Sequence, residues 1–281
     1  MAMLENKIAI VAAMEREVRP LIRNWKVRTI EHSGRRYRLF ESVLENGSTF
    51  LICGGIGADA ARRATEAIIC EVKPRRVISV GFAGALDSAL KVGDVLEPRT
   101  VINAADGART EIEWGEGILV TSATIAEKDE KARLAKGYNA IAVDMEAAAV
   151  AQGAEARGVE FAAVKAITDG ADFNMPAKME RFVASDGTFR SAKFAGHVAL
   201  RPWLWASTIA LARNSAKASR PLCDALASYL DREAQSHSAT GDASSGSVLN
   251  QMTLIQPMNE PSASAHTTTR TKPHTRVTGQ Q

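Results

Sequence analysis

The chain has 281 residues, of which 46% are hydrophobic, and carries a formal net charge of +3. That is enough apolar material for a full core, while the mild charge, the 5% aromatic content and the lack of a dense Lys/Arg stripe exclude an evident nucleic-acid surface. Cys53, Cys70 and Cys223 show no CxxC spacing, so neither a disulfide framework nor a zinc site is implied and a reducing cytoplasm fits; no run of about 18 apolar residues is present to span a membrane.

In chain order, Lys7 to Ala13 reads as a buried strand, and Glu15 to Trp25 carries Val18, Leu21, Ile22 and Trp25 at helical spacing. Tyr37 to Leu44 and Thr49 to Cys53 flank Glu45-Asn46-Gly47-Ser48, which predicts an antiparallel hairpin and therefore a mixed sheet. Gly54-Gly55-Ile56-Gly57 leads into a helix over Ala58 to Cys70, and Arg75 to Val80 is a strand expected to end in the turn Gly81-Phe82-Ala83-Gly84. A strand pair around Asp106-Gly107, a strand at Ile118 to Ser122 and a helix from Glu127 to Lys136 follow. Ala195 to Arg232 is helical by pattern with breaks expected at Pro202 and Pro221, and Trp203, Leu204, Trp205, Ile209 and Leu211 read as a packed apolar face, with a subunit contact or a hydrophobic-substrate surface as the alternatives. Alternating strands and helices predict a three-layer α/β/α sandwich with a mixed central sheet over residues 1–234. Residues 235–281, rich in Ser, Thr, Ala, Pro and Gln, read as a disordered tail.

The most informative stretch is Ala142-Val143-Asp144-Met145-Glu146 together with Ala166-Ile167-Thr168-Asp169. A short strand, an Ala-rich helix from Glu146 to Arg157 stopped by Gly158 and a second strand ending at Asp169 form a crossover. If the two strands are parallel, Asp144, Glu146 and Asp169 emerge at one carboxyl edge, where open α/β sheets bind ligands. Each acid has an ordinary alternative. Glu15 and Glu17 fall in a helix first turn, where the dipole favours acids; Asp144 and Glu146 could cap the next helix, with Asp144 the better candidate; Asp169 could cap a loop. Gly81 and Gly84 suit a tight turn or the close approach of backbone to a ligand.

Four ordered motifs, Ile8-Ala9-Ile10-Val11-Ala12-Ala13-Met14-Glu15-Arg16-Glu17-Val18, Gly81-Phe82-Ala83-Gly84, Val143-Asp144-Met145-Glu146-Ala147 and Ala166-Ile167-Thr168-Asp169, resemble the nucleoside phosphorylase/nucleosidase superfamily over about residues 7–172. The greatest likeness is to the 5′-methylthioadenosine/S-adenosylhomocysteine nucleosidases. The resemblance implies a homodimer that cleaves a small-molecule nucleoside without metal or organic cofactor. It implies Asp169 as the acid protonating the purine, Glu17 as the group orienting and activating water, and Glu146 as the ribose ligand. Met145, Gly81, Phe82 and Lys165 would complete the substrate site. The chemistry agrees: breaking an N-glycosidic bond leaves a positive sugar and a negative base, so carboxylates can serve one side as counter-charge and the other as proton donor. Crowding several carboxyls in a desolvated cleft raises their pKa values.

The chain departs from the family pattern in having Phe82 for a small hydroxyl residue, Lys165 for an Arg, and no Phe between Thr121 and Ala126. Phosphorylases of the superfamily carry a phosphate-binding Arg and Ser at the positions of Ser79 and Phe82, so hydrolysis is favoured over phosphorolysis. The spacing Glu130-Lys131-Ala132-Arg133-Leu134 and the Trp-rich, basic C-terminal helices are similar to a hopanoid-associated branch acting on an adenosyl lipid. A non-catalytic nucleoside-binding module would be expected to have lost Glu17 or Asp169, and both are present.

Overall fold

A computed structural model of the chain describes residues 7–44, 47–173, 175 and 179–246. Contacts gather Met1–Thr240 into one compact unit and Gly241–Gln281 into a second. The framework is a mixed sheet of eleven strands. Strands β1 (Lys7–Ala12), β2 (Lys26–His32), β3 (Arg35–Leu44), β4 (Gly47–Cys53) and β5 (Arg76–Ala85) form one half, with helices α1 (Glu15–Ile22) and α2 (Ala58–Val72) interleaved. The other half holds β6 (Val95–Leu96), β7 (Thr100–Asn103), β8 (Arg109–Glu111), β9 (Ile118–Thr121), α3 (Lys128–Tyr138), β10 (Ala142–Asp144), α4 (Ala147–Glu155) and β11 (Glu160–Asp169). Helices α5 (Ser191–Ala199) and α6 (Trp205–Gly246) close the sequence of elements.

Alternation along the central strands builds the three layers. Ile8, Ile10 and Ala12 pack with Val18 and Ile22 of α1 and with Ala218, Leu222 and Leu226 of α6, whereas Ala9 and Val11 pack with α2 and α4. A period of two thus feeds helices on both faces of a buried sheet.

β5 is the axis of the molecule. Residues 76–80 pair in parallel with β1 on one edge and with β11 on the other, and Gly84 and Ala85 pair with β10 in the antiparallel sense. The expected parallel crossover from β10 to β11 is therefore corrected. The two strands run in opposite senses along β5 and do not pair with each other. The crossover rule applies to parallel strands of one sheet, and three-residue β10 takes its direction from β9, its parallel partner. The strand ends still converge, because Val143 and Asp169 both register with Gly84.

Several boundaries also differ from expectation. Gly81-Phe82-Ala83-Gly84 is not a turn but the last part of β5, kept extended by β11 pairing at Lys165, Ala166, Ile167 and Asp169. Strand β2 and its hairpin to β3 were not anticipated; Ser33 and Gly34 at the bend have φ values of 50° and 72°. Pro202 does open a short 3-10 turn, but Pro221 lies within α6. Buried Ala218, Leu222 and Leu226 around it supply packing that offsets the lost backbone bond. Trp203 and Trp205 are 73% and 49% exposed, so the packed face of α6 is the Ala218–Leu226 stripe and not the Trp pair. The hairpin residues Glu45 and Asn46, and the tail from residue 247, lie outside the described residues; α6 itself continues past residue 234.

Candidate active site

A cleft of about 160 Å³ opens where β5, β10 and β11 meet. It is lined by Met14, Arg16 and Glu17 from the first βα joint, Phe82 and Gly84 from β5, Met145 and Glu146 before α4, and Asp169 at the end of β11. Gly81 and Lys165, expected at the substrate, are not among the lining residues. Both stand directly behind it.

At one end of the cleft, Asp169 is placed by a β-bulge. The β11–β5 register shifts between Ile167 and Asp169, leaving Thr168 as the extra residue and setting Asp169 opposite Gly84. The Thr168 hydroxyl donates to Asp169 Oδ1 at 2.9 Å. The Lys131 ammonium, reaching in from α3, forms an ion pair with Asp169 Oδ2 and donates to the Gly170 carbonyl at 2.7 Å. The side chains of Asp169 and Lys131 are only 3% and 2% exposed. Gly84 makes room for them: a methyl group there would lie 2.8 Å from Asp169 Oδ2 and 3.2 Å from Lys131 Nζ. Asp169 thus faces a cation, not the other carboxylates as crowding at one sheet edge had suggested.

At the other end, Glu17 and Glu146 face one another from separate elements. Glu17 Oε2 accepts the Met14 N–H at 3.2 Å, at the start of α1 where an acid in the first turn was expected. Burial, and next the Glu146 charge, push the Glu17 carboxyl up to about 7 against the Met14 N–H and Lys165. Glu146 Oε1 accepts from Gly57 N–H at 2.8 Å, where α2 begins. Burial and then Asp144 push its carboxyl likewise up to about 7. Gly81 packs behind Glu17; a methyl on it would sit 3.2 Å from Oε2.

Asp144 is the structural member of the group. It accepts from the Thr121 hydroxyl at 2.6 Å and from Ala147 N–H at 2.8 Å, capping α4 as its position suggested. Its remaining partner is Lys165, whose ammonium lies 2.8 Å from Asp144 Oδ2 and donates to Ser79 Oγ at 3.0 Å. Burial alone disfavours the Lys165 charge, but Asp144 and Glu146 outweigh it and hold the pKa above its ordinary value. Lys165 is therefore a buried counter-charge for the carboxylates.

Sequence reasoning named Lys131 in a motif without giving it a role; its signal was a lysine on the inward stripe of α3 with Leu134 and Tyr138. It also missed the cleft wall formed by Ile56, Ile125, Met175, Met179 and Ser215, whereas Leu211, for which a hydrophobic-substrate surface was an alternative, does line the cleft. Ile125 lies in the segment that lacks the family's Phe. Leu211 and Ser215 show that α6 contributes to the cleft as well as to the core. Among the described residues no group of His, Cys, Asp and Glu is arranged to hold a metal ion, and no helix is long and apolar enough to cross a membrane.

Comparison with known proteins follows this geometry. The profile of the phosphorylase superfamily matches residues 7–118 and 107–195. A 5′-methylthioadenosine/S-adenosylhomocysteine nucleosidase of Staphylococcus aureus is 28% identical over 210 residues, covering 63% of this chain and 92% of the relative. Among solved structures, the futalosine hydrolase of Helicobacter pylori superposes with a TM-score of 0.63 at 19% identity, covering 82% of this chain and 99% of its own. The 5′-methylthioadenosine nucleosidase of Arabidopsis thaliana superposes with a TM-score of 0.64 at 17% identity, covering 82% and 96%. These structural likenesses concern the fold.

Proposed function

The chain belongs to the phosphorylase superfamily, and on that premise we propose that it is a nucleosidase that hydrolyses the N-glycosidic bond of an adenine nucleoside of the 5′-methylthioadenosine/S-adenosylhomocysteine type, releasing adenine. The observation that carries this reading is the buried pair Glu17 and Glu146, each carboxyl raised to about 7 on the cleft wall opposite Asp169. A carboxylate poised near neutral pH is suited to accept a proton from water, and one that is charge-rich and desolvated is suited to a sugar becoming positive. Glu146 would accept both vicinal ribose hydroxyls, Glu17 would take the proton of the attacking water, and the Asp169 end would receive the departing base. Met145 and Phe82 bound the sugar, while Gly81 and Lys165 set the position and charge of the carboxylates.

Water is favoured over phosphate by two contacts. Ser79, at the position of the family's phosphate-binding Arg, is already engaged by Lys165, and Phe82 replaces the hydroxyl residue of the strand end. A phosphate dianion would also meet Glu17 and Glu146. Incubation with 5′-methylthioadenosine, S-adenosylhomocysteine, adenosine and inosine, with and without phosphate, tests the proposal. Adenine release unaffected by phosphate is expected; strict phosphate dependence would convert the reading to a phosphorylase, and tight binding without turnover would convert it to a binding module.

A second reading concerns the 5′ substituent. Beyond Phe82 and Met179 the cleft adjoins a groove walled by Phe189, Phe194, Leu211 and Ala212. Such a wall suits a long apolar 5′ group, as in an adenosyl lipid. Competition between methylthioadenosine and long-chain 5′-alkyl adenosines ranks the two. Homodimeric assembly belongs to the same proposal and is read by light scattering.

A further inference from the structure

The ion pair at the base side of the cleft has a consequence for where the catalytic proton comes from. Both oxygens of Asp169 are acceptors: Oδ1 takes the Thr168 hydroxyl and Oδ2 takes the Lys131 ammonium. In the ion pair Asp169 is the acceptor and Lys131 carries the proton. The nearest proton stands on Lys131, which lines the same cleft. Among the described residues its acceptors are Asp169 Oδ2 and the Gly170 carbonyl, leaving one of three hydrogens uncommitted. Its burial removes competing water.

We propose, resting on the nucleosidase reading, that Lys131 is the proton source for the leaving purine and that Asp169 orients it and relays its proton. As the C–N bond breaks, its electron pair passes to the purine, and a ring nitrogen takes a proton from the Lys131–Asp169 pair, leaving the amine neutral. Water adds to the anomeric carbon and loses a proton to Glu17. Exchange with solvent then discharges Glu17 and recharges Lys131, so one water is consumed and no net charge is created.

Lys131→Arg and Lys131→Gln test this. Arginine keeps the cation beside Asp169 but does not give up a proton at these pH values; glutamine keeps the length and a hydrogen bond without charge, and serves if the larger guanidinium disturbs folding. Each variant is assayed on 5′-methylthioadenosine and on p-nitrophenyl β-ribofuranoside, whose leaving group departs without a proton. Thermal melting checks the fold. The expected result is a fall in kcat of about 100-fold or more on methylthioadenosine, in the range of general acid catalysis. KM and the rate on the nitrophenyl riboside are expected to stay within about threefold. Near-normal kcat in Lys131→Arg would show that only the positive charge is needed, and equal losses on both substrates would show a structural role; either overturns the proposal. Should the wild type not turn over the nitrophenyl riboside, the split between kcat and KM on methylthioadenosine decides. Wild-type protein that releases no adenine from any nucleoside defeats the nucleosidase reading itself, a result distinct from an active wild type with active variants.

Discussion

The two ends of the cleft handle buried charge in opposite ways. At the β11 end one carboxylate meets one ammonium, Asp169 against Lys131. At the β10 end three carboxyls, Asp144, Glu146 and Glu17, share the field of one ammonium, Lys165. Asp144 takes the direct contact and two further hydrogen-bonding partners, so the deficit falls on Glu17 and Glu146, and they rise to about 7. Identical side-chain chemistry thus yields a carboxylate paired one to one in one place and carboxyls raised toward neutrality in another, because compensation is local and burial removes the solvent that would level the difference.

The sharpest break in this contrast is Asp169→Asn, which removes the compensated carboxylate and should lower kcat by about 10²- to 10⁴-fold with little change in substrate binding, measured by adenine release and by titration with a non-hydrolysable analogue. Lys165→Met strips the shared cation from the other end; about 3–5 kcal/mol of stability should be lost, because a buried charge is left without its partner, and denaturant unfolding reads this. Glu146→Gln should weaken kcat/KM by about 10- to 100-fold through loss of a charged hydrogen bond to ribose. The pH dependence is gentler. With Glu17 raised to about 7, turnover should decline as pH falls below that value and the base becomes protonated, a limb that Glu17→Gln removes together with the activity.

Stability should follow the opposite course from activity. The folded protein binds the Glu17 proton more tightly than the unfolded chain, whose carboxyl has the ordinary value of 4.5. The resulting stabilisation is complete below about 4.5 and is lost as pH rises through about 7. Glu17→Gln should consequently melt higher than wild type above pH 7, by roughly 1–3 kcal/mol, and differential scanning calorimetry across pH 5–9 measures it.

Much of the fold was legible. Apolar runs of period two and helical stripes located most of the elements, and turn chemistry identified the β3–β4 pair. Strand β2 escaped because its residues are mostly exposed, with Ile30 alone fully turned inward, so hydrophobic alternation was weak. The glycine segment of β5 was misread as a turn because local sequence cannot register pairing with a strand some 80 residues later. For the site, the motif acids Glu17, Glu146 and Asp169 come together on the cleft wall, with Met145 and Phe82. Lys165 and Gly81 do not reach that wall; the one is drawn inward by Asp144 and Ser79, the other leaves room for Glu17.

By itself the sequence determined which side chains carry charge, which strands end in them and which helix each could cap, since those properties follow from residue type and short-range spacing. Only the tertiary structure decided which charges meet. Lys131 and Asp169 are separated by 38 positions, and Glu17 and Lys165 by far more, yet the first pair meets against Gly84 and the second against Gly81 of a single strand. Electrostatic energy depends on distance and solvent exclusion in space, and neither is a function of position along the chain.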